Sequence, residues 1–116
     1  MPNKVHTLNA IGHFDIAGPD IEQLKTFYAN VFGWTAESKG PGYALLNTPG
    51  ETVKGAIVDA DHSSFTVGVV VPSLDHTLSA AVASGGSIIM PKTDNGWIKK
   101  GQVSDPAGNI VTLIQG

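Results

Sequence analysis

Two side chains in the stretch GHFDIAGPD, residues 12–20, could bind a metal ion or a substrate. Successive side chains of a β-strand point to opposite faces, so His13 and Asp15 share one face. Phe14 and Ile16 share the other. His13 then has three interpretations: a metal ligand, a polar contact for a small molecule, or a part-buried side chain hydrogen-bonded to Asp15 or to backbone. A neutral imidazole could also act as a general base, although the sequence identifies no carbon to deprotonate.

Aromatic residues beside flexible turns are further candidates for ligand contacts, because a flat ring at the rim of a concave sheet can hold a flat or apolar molecule. Tyr43 follows a KGPG turn, and Trp97 follows an Asn-Gly pair. Both are open to two interpretations, lining a cavity or packing. Trp34 is expected to pack in the core behind the helix that precedes it.

The segment PDIEQLKTFYANVFGW, residues 19–34, is typical of an amphipathic helix that follows the His13 strand. Asp20 is expected to cap the amino end of this helix, and Gly33 to end it in the left-handed conformation. Phe14 and Ile16 are expected to pack beneath it. The predicted apolar stripe of the helix consists of Ile21, Leu24, Phe27, Tyr28, Val31 and Phe32.

A shift of 53 residues places this unit on a second copy, in which His13 corresponds to Thr66 and Gly33 to Gly86. FTVGVVV is the second strand, Ser73 the helix cap, and Leu74, Leu78, Ala81 and Val82 lie on the second helix. YALLN and VKGAIV follow the first helix, with PGET as a turn. GSIIMP, WIKKGQV and NIVTLIQ follow the second, with TDNG as a turn. The predicted fold is α+β: two tandem βαβββ modules, about residues 1–59 and 60–116 of one domain, forming a curved, mixed sheet around a shared cavity.

Composition narrows the classes of function. A formal charge of −3 without a basic stripe argues against a nucleic-acid partner. The chain has no cysteine, which excludes disulfides and thiolate chemistry. No apolar run is long enough for a signal peptide or a membrane span, so a cytoplasmic protein without membrane contact is expected.

HFDIAGPD, FYANVFGW and DPAGN together resemble the vicinal oxygen chelate superfamily, which includes glyoxalase, bleomycin-resistance and extradiol dioxygenase proteins. The resemblance covers nearly the whole chain. It implies a metal-binding histidine seven residues before the aspartate that opens the helix, where His13 matches. The other implied ligand positions carry Thr66, Thr112 and, around residues 56–57, alanine and isoleucine. A catalytic divalent ion needs about three protein ligands, so no metal site of the family type is expected.

The sequence therefore predicts a small-molecule-binding protein of the glyoxalase/bleomycin-resistance type with a degenerate metal site, sequestering a drug or metabolite. We expect no cofactor, with a divalent metal as the alternative, and the resemblance implies a homodimer. Two other functions stay open. One is a metal-dependent lyase, isomerase or dioxygenase with rearranged ligands such as Asp15, Glu51 or Asp59, and the other is a structural or partner-binding module. The residues expected to line the cavity are Ile11, His13, Asp15, Tyr43, Thr66, Trp97, Ile110 and Thr112.

Overall fold

The computed structural model describes residues 8–50, 53–94, 96 and 98–116. Its elements are β1 (Ile11–Gly18), α1 (Ile21–Phe32), β2 (Thr35–Ser38), β3 (Tyr43–Asn47), β4 (Lys54–Asp59), β5 (Ser64–Val71), α2 (Leu74–Ala83), β6 (Ser87–Asp94), β7 (Lys99–Ser104) and β8 (Ile110–Gln115). Two compact units divide the chain. The first unit is His13–Thr66, and the second unit comprises the described residues of 67–116 together with residues 8–12.

Each unit contains strands in the same pattern. In the first unit β1 pairs in parallel with β4, and β2, β3 and β4 pair antiparallel. In the second unit β5 pairs in parallel with β8, and β6, β7 and β8 pair antiparallel. The predicted fold class, α+β with two tandem βαβββ modules and a mixed sheet, is confirmed.

Helix α1 begins and ends where its sequence signals predict. The Asp20 carboxylate accepts a hydrogen bond from the Gln23 backbone N–H at 3.1 Å. Gly33 ends the helix at φ 74°, and its N–H donates to the Ala29 carbonyl. These contacts satisfy backbone groups that a helix end leaves without partners. The chain next to each end of α1 therefore closes the helix with its own hydrogen bonds.

The core of the first unit lies between α1 and one face of its sheet. It consists of the buried residues Ile16, Leu46 and Ile57, against which Phe14, Ile21, Leu24, Tyr28, Trp34 and Ala36 pack. Trp34 packs against this core as expected. The core of the second unit consists of Val71, Leu74, Leu78, Val103 and Leu113, beneath α2. Ser73 caps α2 as predicted, since its hydroxyl accepts from the His76 N–H.

The predicted apolar stripe of α1 is wider than the face that the sheet covers. Phe27, Val31 and Phe32 each leave more than half of their surface in water, and no residue of α1 is fully buried. The sheet therefore covers only part of the predicted apolar stripe, and these three side chains lie outside the covered part. A helix contacts a sheet along a narrow line, so side chains on its flank or beyond its last turn stay uncovered.

The strand assignments need two corrections. The sequence reading located no strand between α1 and YALLN, yet Thr35–Ser38 forms the edge strand β2. The predicted TDNG turn is partly wrong, because Thr93 and Asp94 extend β6 and pair with Lys100 and Lys99. Within the described part of the chain, no helix has the length and apolar character needed to cross a membrane.

Candidate functional site

The sheet of the first unit has a second face, opposite α1, on which the polar candidates lie. Phe14 and Ile16 of β1 face the helix and its core, so His13 and Asp15 project from the opposite face. Asp15 is level with Ala56 of β4 and Leu45 of β3 in the strand register. Tyr43 lies on the same face, two residues along β3 from Leu45. We call this surface the open face of the first unit.

The side chains of His13 and Asp15 are joined by a hydrogen bond on this face. His13 Nε2 lies 2.8 Å from Asp15 Oδ1, and the two side chains are 24% and 28% exposed. When Nε2 carries the ring proton it donates to the carboxylate, and Nδ1 is then the acceptor nitrogen. This is the hydrogen bond that the third interpretation of His13 requires. The remaining exposure of both side chains leaves room for a ligand contact as well.

Tyr43 adds a hydrogen-bond donor to the open face. Burial raises the pKa of the Tyr43 phenol above 10.0, and the negative charge of Asp15 raises it further. Both causes disfavour the phenolate, so the hydroxyl keeps its proton at neutral pH. A ligand at this face would therefore meet a neutral donor from Tyr43 beside the carboxylate of Asp15.

Lys54 stands opposite His13 in the strand register, but its ammonium group binds backbone carbonyls. Its ammonium group donates to the backbone carbonyls of Thr48 and Gly50, the latter at 3.0 Å. The Thr48 hydroxyl in turn donates to the Val53 carbonyl at 2.8 Å. Lys54 thus binds the backbone of Thr48 and Gly50, which follow the end of β3.

The predicted residues of the second unit lie in different environments. Thr112 is only 5% exposed, and its hydroxyl accepts a hydrogen bond from the Gln102 side chain at 3.0 Å. Ile11 and Ile110 are about half exposed, at 54% and 45%. Thr66, which belongs to the first unit, is part-buried. Trp97 lies outside the described residues.

Gln102 is a polar neighbour of the predicted site that sequence reasoning missed. It stands opposite Thr112 across the β7–β8 ladder. The sequence indicates only that Gln102 lies between Gly101 and Val103 in KKGQVS, so its side chain points away from the face that these two residues direct to α2. Without the register of β7 against β8, that alternation gave no reason to connect Gln102 with Thr112.

The donor set does not fit a divalent metal of the kind the family resemblance implies. No three histidine, aspartate or glutamate side chains among the described residues are placed to hold one ion. Thr112 is buried and already hydrogen-bonded, and Ala56 and Ile57 are fully buried without a donor atom in their side chains. His13 Nε2 is itself paired with Asp15. We therefore assign no chemical step to a metal here.

The other carboxylates predicted as alternative metal ligands do not complete a metal site with His13 and Asp15. Asp59 stands opposite Gly18, three positions along the strands from the Asp15 pair. Strand geometry makes that separation roughly 10 Å, and the odd spacing directs Asp59 to the other face. Glu51 lies outside the described residues. Among the described residues, Asp15 is the carboxylate that contacts His13.

Comparison with known proteins agrees with this architecture. Residues 10–113 match the model of the Glyoxalase/Bleomycin resistance protein/Dioxygenase superfamily. The fold is similar to the Mn(II)-bound glyoxalase from Novosphingobium aromaticivorans, at TM-score 0.67 and 19% identity over 93% of this chain. This chain spans 39% of that glyoxalase.

Two further solved structures are similar over almost their whole length. Methylmalonyl-CoA epimerase from Mycobacterium tuberculosis has TM-score 0.67 and 15% identity, over 97% of this chain and 92% of the epimerase. A superfamily member from Vibrio splendidus has TM-score 0.66 and 14% identity, over 89% and 96%. No curated protein matches the sequence significantly. The family match covers most of the chain, and the chain therefore belongs to the Glyoxalase/Bleomycin resistance protein/Dioxygenase superfamily.

Proposed function

We propose that this protein binds a small organic molecule on the open face of the first unit, without a metal site of the family type, and sequesters a drug or metabolite. The observation that carries the proposal is the 2.8 Å hydrogen bond between His13 and Asp15. It occupies the histidine nitrogen at the position where the resemblance implies a metal ligand. A metal ion could reach that nitrogen only by displacing Asp15 from it.

The surroundings of the pair support a binding role. His13 and Asp15 are about one-quarter exposed, and they lie beside Ala56, which is fully buried. Small-molecule sites commonly combine an apolar lining with a few converging polar groups. Here Tyr43 supplies a donor, Asp15 an acceptor, and His13 an acceptor at Nδ1 while its Nε2–H donates to Asp15. A ligand that carries both an acceptor and a donor would satisfy this set.

The test is a ligand screen followed by calorimetry on matched variants. Compounds that raise the melting temperature of the wild-type protein are titrated into His13→Ala, Asp15→Asn and Tyr43→Phe. We expect each variant to bind at least about tenfold more weakly, which corresponds to one lost polar contact of about 1.4 kcal/mol. His62→Ala removes a histidine from an exposed segment outside the open face and should bind like the wild type. Equal affinity in all four variants would place the ligand elsewhere and contradict the proposal.

A metal-dependent lyase, isomerase or dioxygenase is the second candidate. It is favoured by the position of His13, which matches the family's metal-binding histidine, and by the fold shared with an Mn(II)-bound glyoxalase. The test is the metal content of the purified protein, with thermal shifts against nickel, zinc, cobalt, manganese and iron(II). A stoichiometric ion that is lost in His13→Ala would overturn the metal-free proposal. No bound ion and no shift would exclude this second candidate.

A further inference from the structure

The second unit has a small cavity of its own, at the end of its sheet where β6 meets β7. The volume of this cavity is about 230 Å³, and its lining is formed by Asp94, Gly96, Ile98, Lys99 and Gln115. Pockets that hold drug-sized ligands usually measure roughly 300–1,000 Å³, so this one suits a smaller molecule. We call it the α2-side cavity.

Strand alternation places the three polar side chains of the α2-side cavity on one face of the sheet. Lys99 shares the face of Val103 on β7, and Val103 belongs to the core beneath α2. Asp94 stands opposite Lys99 on β6, and the register of β7 against β8 brings Gln115 to the other side of Lys99. The three residues therefore form a row across neighbouring strands, which lie roughly 5 Å apart.

The hydrogen bonds already made within this row determine which groups are left for a ligand. Gln115 Oε1 accepts a hydrogen bond from the Leu74 N–H of α2 at 2.8 Å, so the two hydrogens of its Nε2 remain as donors. Asp94 Oδ1 accepts from the Gly96 N–H at 2.9 Å, so Oδ2 remains as an acceptor. Lys99 adds an ammonium group, which can only donate.

Two opposite charges line the α2-side cavity without pairing with each other. Among the residues that the structure describes, neither Lys99 nor Asp94 forms an ion pair. Lys92 on β6 pairs instead with Asp75 of α2, at 3.2 Å. A simple anion in the cavity would be repelled by Asp94, and a simple cation would be repelled by Lys99. A molecule that carries both charges avoids both penalties.

We infer that the α2-side cavity binds a small zwitterion, a molecule with one carboxylate and one ammonium group, such as an amino acid. Lys99 and the Gln115 amide donate to the ligand's carboxylate, and Asp94 accepts from its ammonium group. Hydrogen bonds of this charge-assisted kind are stronger than neutral ones. The cavity belongs to the second unit, so this inference does not depend on ligand binding at His13 and Asp15.

A nuclear magnetic resonance titration of the isotope-labelled full chain tests the inference. The probes are glycine, β-alanine and γ-aminobutyrate, whose charged ends lie progressively further apart. We expect at least one of them to shift the backbone signal of Gly96 and the side-chain amide signals of Gln115. Analogues of that probe without the amine or without the carboxylate should bind at least about tenfold more weakly, because each loses one charge-assisted contact. Binding by none of the three, or equal binding by a singly charged analogue, would overturn the inference.

Three variants test the residues that we assign to the site. Lys99→Met removes the cation. Gln115→Glu keeps an oxygen that can accept from the Leu74 N–H but replaces the donors with a negative charge. Each should weaken binding at least about tenfold, and Gln115→Glu should do so with little change in melting temperature.

The matched control is Lys100→Met. Lys100 is the next residue along β7 and is also part-buried, but alternation directs its side chain to the other face. It should bind the probe like the wild type, as should His13→Ala in the first unit. Full affinity in Lys99→Met, or an equal loss in Lys100→Met, would show that the zwitterion does not bind in the α2-side cavity.

Discussion

A metal ion that approached His13 through Nε2 would have to separate it from Asp15, because that nitrogen offers either one proton or one lone pair. In the structure Nε2 lies 2.8 Å from the carboxylate. The pairing also fixes the ring, so the second nitrogen has a defined direction. At the scale of single residues, the chemistry of the open face therefore belongs to a histidine–aspartate pair with a neutral tyrosine beside it.

The phenol of Tyr43 provides a pH-dependent test of this arrangement. Its pKa lies above 10.0 because of burial and, secondarily, because of the charge on Asp15. We expect Asp15→Asn to lower the Tyr43 pKa towards, but not to, its ordinary value, since burial remains. The measurement is a pH titration of phenolate absorbance. Subtracting the curve of the Tyr43→Phe variant, in which Tyr28 is the remaining tyrosine, leaves the titration of Tyr43 alone.

The same shift predicts how stability changes at high pH. The folded protein holds the Tyr43 proton more tightly than the unfolded chain, so this contribution is complete below pH 10 and is lost as pH rises through the folded pKa. The decline should be shallower in Tyr43→Phe, which has no proton to lose. An identical alkaline decline in both proteins, measured by urea unfolding, would contradict this assignment.

Asp105 gives the opposite dependence at low pH. Its pKa is lowered below 3.8 by hydrogen bonds from the Asn109 side chain and backbone, with further bonds from the backbone of Ala107 and Gly108. The stabilisation is present above the unfolded pKa and is lost as pH falls through the lower, folded value. Asp105→Ala should therefore lower the melting temperature at neutral pH, and the difference from wild type should shrink on acidification. Asp94→Ala is the control. The Asp94 carboxylate accepts a hydrogen bond from the Gly96 N–H, and its replacement should change the melting temperature less.

The strand period correctly places His13 and Asp15 on one face, because alternation along a strand holds wherever the strand packs. Their hydrogen bond was one of three open interpretations, since it depends on side-chain rotamers that a sequence does not specify. Thr112 shows a similar limit. Its hydroxyl is committed to Gln102, and that contact needs the register of two strands.

At the scale of elements, the first unit depends on a close approach between β1 and β4. A Cβ built on Gly55 would overlap the ring of Phe14. The ring cannot easily move, because it stacks on Phe65 at 5.6 Å and contacts Trp34 at 6.1 Å. Glycine at position 55 is thus required by packing, not by backbone conformation.

Gly55→Ala should destabilise the protein by about 1–3 kcal/mol, the usual cost of overfilling a packed site. The matched control is Gly18→Ala on β1, where the added methyl would meet Leu24 Cδ1 at an ordinary 3.5 Å. We expect that change to cost much less. Chemical denaturation of both variants measures the difference, and equal losses would show that the Phe14 ring is not the cause.

The elements differ in how well the sequence predicts them. Both helices begin at the predicted caps, Asp20 and Ser73, because capping is local chemistry that the tertiary structure has little reason to override. Strand β2 was not located, since Thr35–Ser38 is short, polar and mostly exposed. Its strand conformation comes from pairing with β3, not from an apolar pattern. The exposure of Phe27 on α1 could not be predicted either. Helical periodicity shows which side chains share a stripe, but it does not show how much of that stripe the sheet will cover.

At the scale of the whole molecule, each unit contains a core of its own. Leu46 in the first unit is 1% exposed, and Leu74 in the second unit is fully buried. Burial of apolar side chains is the main favourable contribution to folding, so stability should depend strongly on these two cores. The two-module fold was predictable at this scale because the sequence repeats the same order of strand, helix and strands, and the family was indicated separately by the resemblance of HFDIAGPD, FYANVFGW and DPAGN.

Leu46→Ala and Leu74→Ala should each lower the free energy of unfolding by about 2–5 kcal/mol, the usual cost of a cavity in a packed core. Ile88→Ala removes an aliphatic side chain that is 44% exposed and should cost less than either. Urea unfolding followed by circular dichroism gives the three values. A loss for Ile88→Ala as large as for the leucines would mean that the second unit has more buried surface than the structure shows.

The parallel pairing of β1 with β4 also has a consequence for how the chain folds during synthesis. His13 pairs with Lys54, so a loop of about forty residues must close before that ladder can form, and such long-range pairing slows folding relative to local hairpins. The antiparallel β2–β3–β4 strands are close in sequence and can assemble first. Strands β1 to β4 pair with one another, and all four have been synthesised once Asp59 has left the ribosome. The nascent chain can therefore form this four-stranded sheet while most of the second unit is still being translated.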